Sequence, residues 1–215
     1  MSNARANIFK RLNAVERPVV DVSERESLSR FAWDKEERIR RFTERMQAVR
    51  AEVHRSDREH YVDKLAEICQ AKGLKQLLLS SHTEWGQAIS QNAACFPSLK
   101  YYERRIEDWK HELFYEVDAG LTSTLGGIAE TGTLMLWSSP DEPRTLSLVP
   151  PIHIAILDTD KIYTTFAEAV NQQAWLEQGL PTNALLISGP SRSADIAQVL
   201  AYGVHGPKEL IVVLV

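Results

Sequence analysis

Short apolar runs that alternate with helical stretches constrain the fold of this chain most strongly. From residue 75 onward, strand-like runs are separated by segments with helical spacing that end at glycines. This alternation predicts an α/β domain with a mostly parallel open sheet and flanking helices. The predicted strands are KQLLLS (75–80), LFYEV (113–117), GTLMLW (132–137), IHIAIL (152–157), NALLIS (183–188) and ELIVVLV (209–215).

The N-terminal third of the chain has a different pattern. Residues 1–72 read as helical, and we expect a helical N-terminal region at 1–72 followed by an α/β domain at 73–215. A narrow apolar stripe with spacing of three and four residues runs through this region, as expected of a helix with one buried face. We expect it to dock on the rest of the protein, with another subunit as the alternative. The stripe consists of Ile39, Phe42, Met46, Val49 and Val53.

Charge and cysteine content exclude several classes of protein. Residues 111–215 carry 12 acidic and 4 basic residues, which makes this half a poor nucleic-acid surface. The two cysteines, Cys69 and Cys95, are too few for an iron–sulfur cluster and form no metal-binding pair. No apolar run approaches the roughly 20 residues of a membrane span, and the N-terminus lacks an apolar signal region. We therefore expect a cytoplasmic protein that holds no cofactor or metal of its own.

The segment SGPSRSADI (188–196) is the first candidate site. Arg144 and Arg192 are the only arginines after residue 110, and Arg192 follows a predicted strand at a glycine–proline turn. A helix that begins near Ser191 would offer free backbone N–H groups to an anion, and a guanidinium suits a carboxylate or phosphate. The alternative is that Ser191 only caps the helix and Arg192 pairs with a surface acid. We predict that the ligand-binding residues here are Gly189, Ser191, Arg192, Ser193 and Asp195.

The segment GGIAETGTLMLW (126–137) is the second candidate. Gly127 and Gly132 have the glycine spacing of a P-loop, but Thr133 stands where the required lysine would be. Glu130 is the one charged residue in this run. Its carboxylate either binds a ligand or fixes the turn by accepting backbone hydrogen bonds.

Two histidines and an arginine form the third candidate group. His153 lies inside an apolar strand pattern, where a histidine is either a hydrogen-bonded core residue or a catalyst. His205 lies between glycines in GVHGP (203–207), where the backbone can approach a ligand closely. Arg144 precedes the same strand as His153. The spacing of histidines and acids matches no familiar metal-ligand pattern, so we predict no metal site.

Together these segments resemble the LutC/YkgG family of lactate-utilisation (LUD-domain) proteins. The family patterns are matched in order by AETGTLML (129–136), SLVPPIHIAIL (147–157), GPSRSADIA (189–197) and GVHGPKEL (203–210). The N-terminal segments ANIFKRLNAV (6–15) and FTERMQAVRAEV (42–53) are also similar to members of this family. Ser193 and Ala197 depart from it, since threonine and glutamate are common at those positions.

The resemblance implies a fold like that of the NagB/RpiA/CoA-transferase-like superfamily. It also implies a role in the oxidation of L-lactate to pyruvate, as a subunit or accessory protein whose iron–sulfur partner proteins carry the clusters. We therefore expect a small anionic ligand, with no nucleic acid and no membrane span.

The roles of individual residues follow from the chemistry of a 2-hydroxy acid. Arg192 with the turn N–H groups, or Arg144, would bind the carboxylate. His153 or His205 would accept the hydroxyl proton, and Glu130 would orient that histidine. Two alternatives stay open: a transferase or ligase-type enzyme that binds an ATP-, folate- or CoA-like ligand, and a non-catalytic scaffold that assembles through the Ile39-to-Val53 stripe.

Overall fold

A computed structural model describes residues 4–14, 31–179, 183–194, 200–203 and 205–215. The chain divides into two units, residues 1–31 and 32–215. Within the part of the first unit that the structure describes lies the helix α1 (Ala4–Asn13), none of whose side chains is buried.

The second unit contains the other elements. Its helices are α2 (Lys35–Ala48), α3 (Tyr61–Ala71), α4 (Glu84–Gln91), α5 (Ile106–Tyr115), α6 (Thr145–Leu148), α7 (Phe166–Gln172) and α8 (Trp175–Gln178). Its strands are β1 (Glu52–Arg55), β2 (Gln76–Leu79), β3 (Ser98–Tyr101), β4 (Ala119–Ser123), β5 (Gly126–Ile128), β6 (Thr133–Trp137), β7 (Ile152–Leu157), β8 (Ile162–Tyr163), β9 (Ala184–Ile187), β10 (Arg192–Ala194), β11 (Leu200–Tyr202) and β12 (Glu209–Leu214).

A six-stranded sheet in the order β1-β12-β7-β4-β2-β3 forms the centre of this unit, and each recorded pair in it is parallel. A second sheet in the order β8-β5-β6-β9 is mixed, because β6 pairs antiparallel with both β5 and β9. The predicted α/β class with a mostly parallel sheet and flanking helices is therefore confirmed. The predicted strands at 132–137 and 183–188 lie in the second sheet and not in the parallel one.

Alternation along β7 shows how the two faces of the large sheet are covered. Ile154 and Ile156 point to one face and join the core formed with α3 and α4. Ala155 and Leu157 point to the other face and join the core formed with α2 and the small sheet. Next to this second core, α5 and α6 cover β2. The second face is thus shared between the small sheet and the α5–α6 segment.

The N-terminal helix α2 is an integral part of this core. Ile39, Phe42 and Met46 are buried against the two sheets, so the stripe docks within the chain as expected. This burial removes the feature that favoured a scaffold. The region 1–72, predicted as helical, also contains β1, which pairs parallel with β12. The boundary predicted at residue 72 stays a prediction.

Two other predicted elements are wrong. The apolar run at 113–117 belongs to the end of α5, where Leu113 and Val117 pack against Leu78 and Trp109. The helix predicted from Ser191 is absent at its start, since β10 pairs antiparallel with β11 there. Asp195 lies outside the described residues.

Candidate functional site

A cavity of about 240 Å³ opens at the carboxyl end of β4. From β2 the chain continues to β3, which lies towards one edge of the sheet. From β4 it continues towards β7, which lies in the direction of the opposite edge. Ligands of open α/β sheets gather at such a switch point, beyond the carboxyl ends of the strands. Hydroxyl groups dominate the polar lining of this first cavity. They belong to Thr122, Ser123, Thr124, Ser138, Ser139 and Ser147.

Glu142 is the acidic residue in this lining, and no sequence pattern pointed to it. The backbone N–H of Ser123 donates to its Oε1 at 2.8 Å, and the Ser123 hydroxyl donates to its Oε2. The Glu142 N–H in turn donates to the Ser139 hydroxyl at 3.0 Å. Burial raises the pKa of the Glu142 carboxyl, and the hydrogen bonds from Ser123 offset part of that rise. These contacts hold the carboxyl at the end of β4.

Arg144 supplies positive charge to the same cavity. Its side chain is exposed, and its guanidinium makes no hydrogen bond or ion pair with any other described residue. It precedes α6, which lies directly on β4. A Cβ added at Gly120 would come within 2.1 Å of the Leu146 backbone oxygen, so this close approach requires glycine.

A second cavity of about 220 Å³ adjoins the first, and Ser147 lines both. Four of the predicted site residues line this second cavity. They are His153, Gly189, Ser191 and His205. Leu148 and Leu186 are exposed in its wall, which makes it the more apolar of the two.

His153 connects the two cavities. It is 1% exposed, and its Nε2 is hydrogen bonded at 2.8 Å to Oγ1 of Thr122, which lines the first cavity. Burial lowers the pKa of His153 to about 3, because a buried imidazolium would lose its hydration. The ring is therefore neutral near pH 7 and can exchange a proton only through neutral tautomers.

Arg192 and Ser193 lie in β10, and Arg192 is exposed and lines neither cavity. The Ser191 N–H, predicted to be free at a helix start, donates to the Pro207 oxygen at 2.9 Å. The Ser191 oxygen accepts from the Gly203 N–H, also at 2.9 Å. The Ser191 N–H is therefore already hydrogen bonded and is not available to an anion.

Glu130 is exposed on a turn and lines neither cavity. The glycines around it serve packing. A Cβ on Gly127 would lie 2.9 Å from Leu157 Cδ2, and one on Gly132 would lie 2.5 Å from Arg45 Cβ. The segment 126–137 therefore brings the small sheet against α2 and does not bring Glu130 to His153.

In the part of the chain that the structure describes, no three His, Cys, Asp or Glu side chains come together as they would around a metal ion. No helix in the same residues combines the length and apolar character needed to cross a bilayer.

Comparison with known proteins adds the family. The model of the LUD domain matches residues 39–215, which include the two cavities and most of both sheets. The chain belongs to the LUD domain family. The resemblance predicted from the sequence motifs is thereby confirmed.

Relatives within the LUD family span the chain to different extents. An uncharacterized protein of Neisseria meningitidis serogroup B is 42% identical over 99% of this chain and 94% of its own length. A lactate utilization protein C of an Exiguobacterium species is 39% identical over 55% of this chain and 53% of its own length. A crystal structure of a DUF162 family protein from Deinococcus radiodurans has a TM-score of 0.61 at 22% identity. The match covers 85% of this chain and 98% of that one, and it shows a shared fold.

Proposed function

We propose that this LUD-domain protein acts in lactate utilisation in the cytoplasm and binds L-lactate in the first cavity. In this proposal it is a component of an iron–sulfur-dependent system that oxidises lactate to pyruvate. The family membership and the relatives called lactate utilization protein C support the process. Because Cys69 and Cys95 are too few for a four-thiolate cluster, the electrons leave through separate iron–sulfur partner proteins.

The uncommitted guanidinium of Arg144 is the observation that carries this proposal. Most other arginines of the second unit form an ion pair, whereas Arg144 faces a hydroxyl-lined cavity with no partner among the described residues. A guanidinium pairs with a carboxylate through two parallel hydrogen bonds. The cavity is smaller than the roughly 300–1,000 Å³ that drug-sized ligands occupy, so it suits a small acid.

In this proposal His153 and His205 have different roles. His153 reaches the first cavity through Thr122 and is the histidine that we favour for proton transfer. Because its buried ring stays neutral, it accepts a proton at one ring nitrogen only as it releases one from the other. His205 is exposed in the second cavity, where it can pass a proton to water. Glu130 and Arg192 line neither cavity, so we assign them no contact with the ligand.

The proposal predicts that Arg144→Ala weakens L-lactate binding roughly ten- to a hundredfold. A hydrogen bond to a charged group contributes about 1.5–3 kcal/mol, which corresponds to that range. Isothermal titration calorimetry of the purified protein with L-lactate measures the effect.

Arg105→Ala is the matched control, because Arg105 is exposed at the start of α5 and lines neither cavity. We expect it to bind as the wild type does. Wild-type protein that shows no binding of L-lactate, or an Arg144→Ala variant that binds equally well, would overturn the proposal.

A further inference from the structure

Glu142 and Arg144 carry opposite charges, lie two positions apart and line the same cavity, yet they form no ion pair. The guanidinium stays out of contact with this carboxyl, which is turned onto Ser123 at the end of β4. A cation and an anion are therefore presented to one small cavity at separate points. Such a pair can hold two different groups of one ligand.

The Glu142 carboxyl keeps capacity to accept further hydrogen bonds. An ionised carboxylate has about four lone-pair positions, and Ser123 occupies one on each oxygen. The Ser139 hydroxyl holds the backbone of Glu142 and leaves the carboxyl untouched. An orientation fixed by two independent contacts is what a recognition group requires, because little conformational entropy is then lost on binding.

We propose that Glu142 recognises the hydroxyl of the ligand, so that the first cavity prefers a 2-hydroxy acid to the matching 2-oxo acid. This inference rests on the proposed function, since it assumes that Arg144 holds the carboxylate of the same ligand. The hydroxyl of lactate donates a hydrogen bond to the carboxylate. The keto oxygen of pyruvate can only accept, so it faces a second acceptor with no proton between them. A site built for a hydrogen bond rejects an analogue that cannot form it, because its polar group is left unpaired.

The test is a calorimetric titration of wild-type protein and Glu142→Gln with L-lactate, pyruvate and propionate. For the wild type we expect L-lactate to bind at least about tenfold more tightly than pyruvate or propionate. Glutamine can still accept from the Ser123 N–H, and its amide can donate to a keto oxygen. The ratio of lactate to pyruvate affinity should therefore fall to about one or invert in Glu142→Gln.

Asp141→Asn is the control for a nonspecific change beside the site, since Asp141 is the exposed acid next to Glu142 and lines neither cavity. It keeps the Glu142 carboxyl, so the ratio of the two affinities should stay as in the wild type. Equal binding of all three acids by the wild type, or an unchanged ratio in Glu142→Gln, would overturn the inference while leaving the site itself standing. If none of the three acids binds to the wild-type protein, the proposed function itself is contradicted.

Discussion

At His153 the cost of burying a charge decides the protonation state. The ring is buried on β7, with one hydrogen bond to Thr122 among the described residues. No acid among the described residues contributes to the pKa of His153, and burial is the cause of its lowering. The folded protein therefore resists protonation of His153, whereas the unfolded chain does not.

This difference predicts a specific loss of stability in acid. The pKa of His153 falls from 6.5 to about 3 on folding, so its contribution is complete above pH 6.5 and is lost progressively as the pH falls towards 3. In that window the unfolding free energy should fall by up to about 1.4 kcal/mol per pH unit on account of this group. Urea denaturation at a series of pH values measures it, and His153→Gln should show a shallower dependence.

The exposed His111 on α5 supplies the matched surface substitution. His111→Gln should leave the unfolding free energy at pH 7 within about 0.5 kcal/mol of the wild-type value. Identical slopes for wild type and His153→Gln would show that His153 is not neutralised by burial.

Individual site residues could be predicted only where local pattern carried the signal. A histidine in an apolar strand marked His153, and the glycine-rich turn marked His205; both line the second cavity. Glu142 had no such signal, since an acid in SSPDEPR (138–144) is typical of a solvated loop. Its surroundings depend on Ser123, which lies 19 positions away and is brought near by the fold.

Among the elements, α2 packs against residues of both the small sheet and the large one. Phe42 is fully buried, and the absence of a side chain on Gly127 lets β5 approach its ring. The side chain of Leu157, in β7, also lies close to Gly127. The α2 helix therefore shares one core with both sheets.

Phe42→Ala should accordingly lower the unfolding free energy by about 3–5 kcal/mol, because it leaves a cavity in contact with both sheets. Chemical denaturation followed by tryptophan fluorescence measures the change. Glu44→Ala on the exposed face of α2 should cost about 1 kcal/mol or less, since it removes only a surface ion pair with Arg40. Equal losses in the two variants would contradict the buried position of the stripe.

Strands with long apolar runs could be predicted from the sequence. Short strands, and apolar runs that also fit a helix, could not. The runs at 152–157 and 209–215 became β7 and β12, which are buried on both faces. The run at 113–117 was wrongly predicted as a strand. Leu113 and Val117 are four positions apart, so they fit one face of a helix equally well. β1, with only four residues and charged ends, owes its place to pairing with β12 at the other end of the sequence.

At the scale of the whole unit, strand order creates the site. In the order β1-β12-β7-β4-β2-β3, the connections from β2 and from β4 lead towards opposite edges of the sheet, and the hydroxyl-lined cavity opens at the carboxyl end of β4. This order depends on pairings between distant segments, so it could not be read from the local patterns that predicted an α/β class. The position of the first cavity therefore follows from topology, while its chemistry follows from Ser123, Glu142 and Arg144.

Hydrogen–deuterium exchange of the full chain with and without saturating L-lactate tests the location of this site most directly. The account predicts slower exchange in peptides that cover 122–125 and 138–147, where the first cavity is lined, and unchanged exchange at 69–74 in the distant cavity beside Cys69. Unchanged exchange at 122–125 and 138–147, or protection confined to other segments, would contradict it.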